Sequence, residues 1–126
     1  MWSDRYYYLN IYYDEDLSRD FDTLSLVAFI KSLPELKEKE PLMFGNVSEF
    51  PFTDIQLLKA ESLLHWSERD RNNERTNLIT LICSKDTASN FESHLTLLIK
   101  IASFVKWKLV DERTDDDIDN YVLWAP

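Results

Sequence analysis

Arg5-Tyr6-Tyr7-Tyr8-Leu9-Asn10-Ile11-Tyr12-Tyr13 is the stretch on which the fold turns. Most of its residues favour extended backbone, because aromatic and β-branched side chains pack well on a pleated surface. Period-two alternation sends Tyr7, Leu9, Ile11 and Tyr13 to one face and Tyr6, Tyr8, Asn10 and Tyr12 to the other. The first set is expected to face the core. The second is too polar for a deep core and too apolar for an ordinary wet surface, so it calls for a cover or a partner.

Moving outward, the spacing becomes helical from about 18 to 33, where Phe21, Leu24, Val27, Ala28, Ile30 and Leu33 recur before Pro34 stops the helix. Residues 35–53 mix acids, prolines and the only glycine, Gly45, and read as a long irregular connection with a short strand at 42–47. Ile55 to Trp66 satisfies two patterns, a capping box at Thr53-x-x-Gln56 and strand-like alternation. The polar run Arg69-Asp70-Arg71-Asn72-Asn73-Glu74, followed by an apolar strand at 76–84, favours a hairpin and hence a strand. Ser89-Asn90-Phe91-Glu92 is a second capping-box pattern and opens a helix with Phe91, Leu95, Leu98, Ala102 and Val105 on one stripe. Trp107-Lys108-Leu109-Val110 resumes alternation as a final strand, and Tyr121-Val122-Leu123-Trp124 has the composition of a further edge strand.

The order strand, helix, strand, strand, helix, strand predicts an α+β domain of the ferredoxin-like split βαβ kind. Its antiparallel sheet would carry two helices on one face and leave the other bare, with Tyr6, Tyr8 and Tyr12 on the bare face. At 126 residues with 44 % hydrophobic content, the chain is expected to form one self-sufficient domain over 1–126. Cys83 lies in the apolar run Leu78-Ile79-Thr80-Leu81-Ile82-Cys83 and reads as core. Residues 1–5 lack the basic and apolar regions of a secretory signal, and no apolar run approaches the ~20 residues that cross a bilayer. A cytoplasmic protein without membrane contact is expected.

Catalytic motifs are absent from the pattern. A phosphate-binding loop needs glycines so that backbone N–H groups can approach the ligand, and one glycine builds none. His65 and His94 have no partners at zinc-ligand spacing, and His94 reads as a partly exposed surface histidine. Asp115-x-Asp117-x-Asp119 opens like a calcium loop, but the sixth and twelfth positions, which require glycine and glutamate, hold Asn120 and Pro126. Neither a metal, a cofactor nor an enzymatic activity is expected.

Charge says more. Asp111, Glu112, Asp115, Asp116, Asp117 and Asp119 stand against Arg113 alone, so 111–119 contributes −5 of the net charge of −9. RNA-recognition domains share the predicted strand order and stack bases on sheet aromatics. Phosphate contacts need lysine and arginine, however, and 23 acids against 14 bases argue against nucleic acid. A basic protein fits better, because an acidic surface speeds encounter while aromatic anchors such as Tyr121 and Trp124 hold the complex.

The segment carrying Leu98, Ile101, Ala102, Trp107, Leu109, Asp111 and Glu112 is a helix passing into a tryptophan-containing strand that ends in Asp-Glu. Over 98–112 it resembles the C-terminal part of small acidic immunity proteins from bacterial polymorphic-toxin and contact-dependent inhibition systems. That resemblance implies a monomer or weak dimer that neutralises one cognate basic toxin, often a nuclease, by occluding its active site. It transfers no individual binding residues. Two alternatives stay open: a dimeric or small-molecule-binding ferredoxin-like domain using Tyr6, Tyr8, Tyr12 and His65, and a viral inhibitor that mimics nucleic acid.

Overall fold

A computed structural model describes residues 5–85 and 88–126, with side chains for all of these except 88–90. Its strands are β1 (Tyr6–Tyr12), β2 (Phe21–Asp22), β3 (Leu36–Glu40), β4 (Met43–Asn46), β5 (Thr53–Leu58), β6 (Arg75–Thr76), β7 (Leu78–Ser84), β8 (Lys108–Arg113) and β9 (Asp119–Trp124), and its helices are α1 (Thr23–Lys31) and α2 (Ala88–Val105). Seven strands form one sheet in the order β3-β4-β5-β7-β1-β8-β9, and every neighbouring pair is antiparallel. β2 and β6 form a separate short pair.

β1 lies between β7 and β8, with Leu9 opposite both Leu81 and Asp111. Its inward set, Leu9 and Ile11, joins Ile55, Leu57, Ile79, Leu81, Cys83 and Leu109 beneath Leu26 and Ile30 of α1 and Leu97, Leu98, Ile101 and Ala102 of α2. Both helices therefore cover the same face. Tyr7 extends this core and meets the Phe91 ring at 4.6 Å. No helix among the described residues is long and apolar enough to cross a membrane.

The opposite face is covered in part, through a second cluster of Tyr12, Leu17, Leu58, Ala60, Leu78 and Val110 with Leu63 packed against it. Ala60 and Leu63 belong to the connection 59–77, which folds back as a strap instead of continuing the strand. The Asn77 carboxamide clamps it, accepting from the Ala60 N–H at 2.8 Å and donating to the Ala60 carbonyl at 2.9 Å. Further along, Ser67 and Asp70 cap a short 3-10 turn at Glu68–Asp70, and the Lys59 N–H donates to the Asp70 carbonyl at 2.8 Å.

Several expectations are corrected. The strand expected over 55–66 ends at Leu58, where alternation gives way to the strap's own packing. The first helix begins at Thr23, not near 18, because Phe21 and Asp22 pair with Thr76 and Arg75, and the Asp22 carboxylate then caps the helix by accepting from the Ser25 N–H at 3.0 Å. The connection at 35–53 holds two strands, the expected one near 42–47 and also β3, whose Lys37-Glu38-Lys39-Glu40 side chains are all exposed at the sheet edge. Charge on an edge strand blocks pairing with other chains, and it hides the strand from a hydrophobic period. Tyr13 lies beyond β1 and is exposed, with the Arg19 guanidinium 4.2 Å from its ring centre. His94 is fully buried, its Nδ1 3.1 Å from the Thr53 hydroxyl and its ring edge-on to Phe50. The side-chain cap expected at Ser89 lies outside the described residues.

The Tyr12 hydroxyl is buried with no hydrogen-bond partner, and burial pushes its pKa up to about 12. An unsatisfied buried hydroxyl carries its desolvation cost with no compensating bond. Tyr12→Phe should therefore raise stability by about 1 kcal/mol in urea denaturation, keeping the ring beneath Lys108. A loss of that size would mean that the hydroxyl is bonded.

Candidate binding surface

Alternation lays the outer face out in rows across β8, β1, β7 and β5. The strap covers the row built from Tyr12, Leu78 and Leu58. The next row is polar: Asn10 pairs with Val110 on one side and Thr80 on the other, and Thr80 pairs with Gln56. In the third row Tyr8 is opposite Ile82 and Ile82 opposite Asp54, while Glu112, one residue past Asp111 on β8, faces the same way as Tyr8.

These two rows floor a groove of about 470 Å³, with Trp66 of the strap as a wall. A hollow of about 240 Å³ adjoins it, shares Asn10 and Glu112, and runs on to Asp119 and Asn120 at the sheet edge. Both fall at the small end of ligand-pocket volumes or below it. Asp54 is paired with Lys39 at 3.2 Å, whereas Glu112 makes no ion pair among the described residues. Burial raises the Glu112 carboxyl above its usual range, and Asp111 and Asp119 add to the effect. The Gln56 Oε1 is likewise buried without a hydrogen-bond partner.

The acidic run does not hang as a tail. It forms the end of β8, a turn and the start of β9, closed by the Thr114 N–H donating to the Ile118 carbonyl at 2.9 Å and the Asp117 N–H to the Thr114 carbonyl at 2.9 Å. Asp117 and Asn120 have φ values of 62° and 50°, a left-handed conformation that Asp and Asn adopt more readily than most residues.

The six acids separate into different environments. Asp111 is buried on the helix-side face, and its carboxyl is raised by desolvation despite the nearby Lys85 ammonium. Glu112 is half-buried in the groove. Asp115 bonds Lys85 at 2.7 Å, and Asp117 and Asp119 lie 3.6 and 3.4 Å from the Arg113 guanidinium. Asp116 is exposed. Among these carboxylates the hairpin exposes Ile118 and Tyr121 at 49 % each and Val122 at 43 %. Trp124 sits opposite Leu109 and packs on the protein's own core, so the expected edge strand is present and takes up this anchor.

Tyr8 lines the groove, and Tyr6 stands beside it against Phe52 and Tyr8, with ring centres at 5.7 and 6.4 Å. Tyr12 is fully buried under the strap and reaches no opening. His65 is exposed on the strap, and its neighbour Trp66 enters the groove instead. Sequence reasoning missed Trp66, Asp54, Gln56 and Thr80. For Asp54, Gln56 and Thr80 the signal was the polar half of each strand's alternation, which names a face without naming its neighbours, whereas Trp66 lies on the strap and no strand period points to it.

Nothing here resembles a nucleophile with its base. Burial pushes the Cys83 thiol up to about 12, and no group of three or more His, Cys, Asp or Glu among the described residues is placed to hold a metal. The carboxylates of this surface favour a group that brings positive charge. No family model matches the chain, and no curated protein or solved structure is significantly similar to it.

The burial that raises the Glu112 carboxyl acts in the fold and not in the unfolded chain, so its ionised form weakens the fold. That penalty is present above the raised value and vanishes below the unfolded carboxyl value of about 4. Glu112→Gln should melt higher than the parent at neutral pH, with the difference disappearing in acid. A variant that melts lower at neutral pH would mean that the carboxylate is compensated in the fold.

Proposed function

We propose that this protein is a non-catalytic immunity protein that captures a basic toxin in the cytoplasm and occludes its active site, docking through the β8–β9 edge. One observation carries the reading: a folded edge exposes Tyr121 on one face and Val122 on the other, with Ile118 just before them, next to the exposed carboxylates of the same hairpin. Protein interfaces combine apolar contact area that supplies affinity with charge that steers encounter and rejects wrong partners. β9 also ends the sheet, leaving backbone groups along its outer side available for an added strand. The opposite edge, β3, is lined with lysine and glutamate and is poorly suited to pairing.

The order β5-β7-β1-β8, with α1 and α2 on one face, supports reading the inner sheet as a ferredoxin-like split βαβ sandwich. β3 and β4 widen it on one side and β9 on the other.

The test takes the basic protein encoded beside this one and measures association by stopped flow at several salt concentrations. Replacing Asp115, Asp116 and Asp117 together by asparagine should slow association by about tenfold at low salt and flatten its salt dependence, with a smaller effect on dissociation. Tyr121→Ala should mainly speed dissociation. Association unchanged by the triple substitution would sink the docking role of the hairpin.

A further inference from the structure

We propose that the groove on the outer sheet face is a receptor for a single arginine side chain presented by the partner, with Glu112 as its counter-charge and Trp66 and Tyr8 as its aromatic walls. The identity of that occupant as part of a protein rests on the basic-partner reading above. Its chemistry rests on the groove itself.

The argument begins with what the site lacks. Glu112 lines the groove half-buried, feels the negative charges of Asp111 across the sheet and of Asp119 at its edge, and makes no ion pair among the described residues. A charge held this way is unfavourable unless something positive arrives, so a cation gains more here than at the solvated acids of the turn. Asp54 at the far side is already paired with Lys39, which leaves Glu112 as the open charge.

Arginine suits the remaining features better than lysine. A guanidinium is planar, stacks on aromatic faces and offers a fork of N–H donors that matches a carboxylate. Here Trp66 and Tyr8 line the groove together with the polar side chains of Asn10, Gln56 and Thr80. An ammonium is compact, strongly hydrated and cannot use the aromatic walls as fully. The groove's volume of about 470 Å³ leaves room for one side chain and some water. Its connection with the edge is direct, since Glu112 and Asn10 also line the hollow that ends at Asp119 and Asn120, where the Arg113 guanidinium is held by Asp119 at 3.4 Å. A protein docked on β9 would therefore reach the groove by extending one long side chain along the face.

The experiment titrates the whole protein with Gly-Arg-Gly amide and follows backbone and indole N–H resonances by NMR. The citrulline and lysine counterparts and agmatine serve as comparison probes. Saturable shifts are expected at the Trp66 indole and at Tyr8, Asn10 and Thr80, with affinity at least about tenfold weaker for the citrulline and lysine peptides. Glu112→Gln, which keeps the fold, should abolish the response, and Trp66→Ala should weaken it. Shifts confined to 115–119, equal binding of lysine, or an unchanged response in Glu112→Gln would overturn the proposal. Agmatine binding much more tightly than the peptide would overturn the protein side chain as occupant in favour of a small organic cation. The two readings fail separately: without a basic partner the peptide still binds the groove, and without a functional groove the hairpin acids still steer the partner.

Discussion

Everything in this molecule depends on β1 being paired on both sides. With β7 on one flank and β8 on the other, its backbone groups are satisfied within the sheet, and its side chains must divide strictly between two faces. Leu9 and Ile11 enter the helix-covered core, and a one-residue slip would exchange them for Tyr8, Asn10 and Tyr12. The register that buries the aliphatic residues is thus the same one that presents Tyr8 and Asn10 to the groove. The core and the groove face are two consequences of one alternation.

The second face is divided by the strap 59–77. Its clamp at Asn77 holds Ala60 and Leu63 over Tyr12, Leu58, Leu78 and Val110, while its Trp66 reaches on to the edge of the groove. Past that boundary the rows turn polar, with Thr80, Asn10 and Gln56 followed by Glu112 and Asp54. The sheet is finished as a core beneath the strap and left open beyond it. In the open part the Gln56 Oε1 is buried without a hydrogen-bond partner and burial raises the Glu112 carboxyl, so both carry a local cost to the fold.

The β8–β9 hairpin resolves the acidic run into separate duties. Lys85, whose side chain is largely buried, holds Asp115, and the exposed Arg113 holds Asp117 and Asp119 in pairs that contribute little to stability. Asp111 withdraws into the sheet and Glu112 into the groove, because adjacent residues of a strand point to opposite faces. The net charge of the segment is therefore a poor guide to where its field is strongest. A count of carboxylates treats six as equal, while the fold buries Asp111, half-buries Glu112 and leaves both without an ion pair among the described residues.

By itself the sequence determined the elements whose period is carried by burial: β1, β7 and β8, the stripe of α2, and the closing edge strand at Tyr121–Trp124. It also determined that Tyr8 would lie on the face away from the helices. It did not reveal β3, whose edge position requires charge instead of alternation, nor the point at which 55–66 leaves the sheet, nor the burial of His94 against Thr53 and Phe50. Only the tertiary structure decided which polar residues share a site. Trp66, Gln56, Thr80 and Glu112 come from a strap and three strands distant in sequence, and pairing register brings them together. Periodicity is a local property of the chain and shows which way a side chain points, whereas its neighbours are set by strand pairings and strap packing that no single segment encodes.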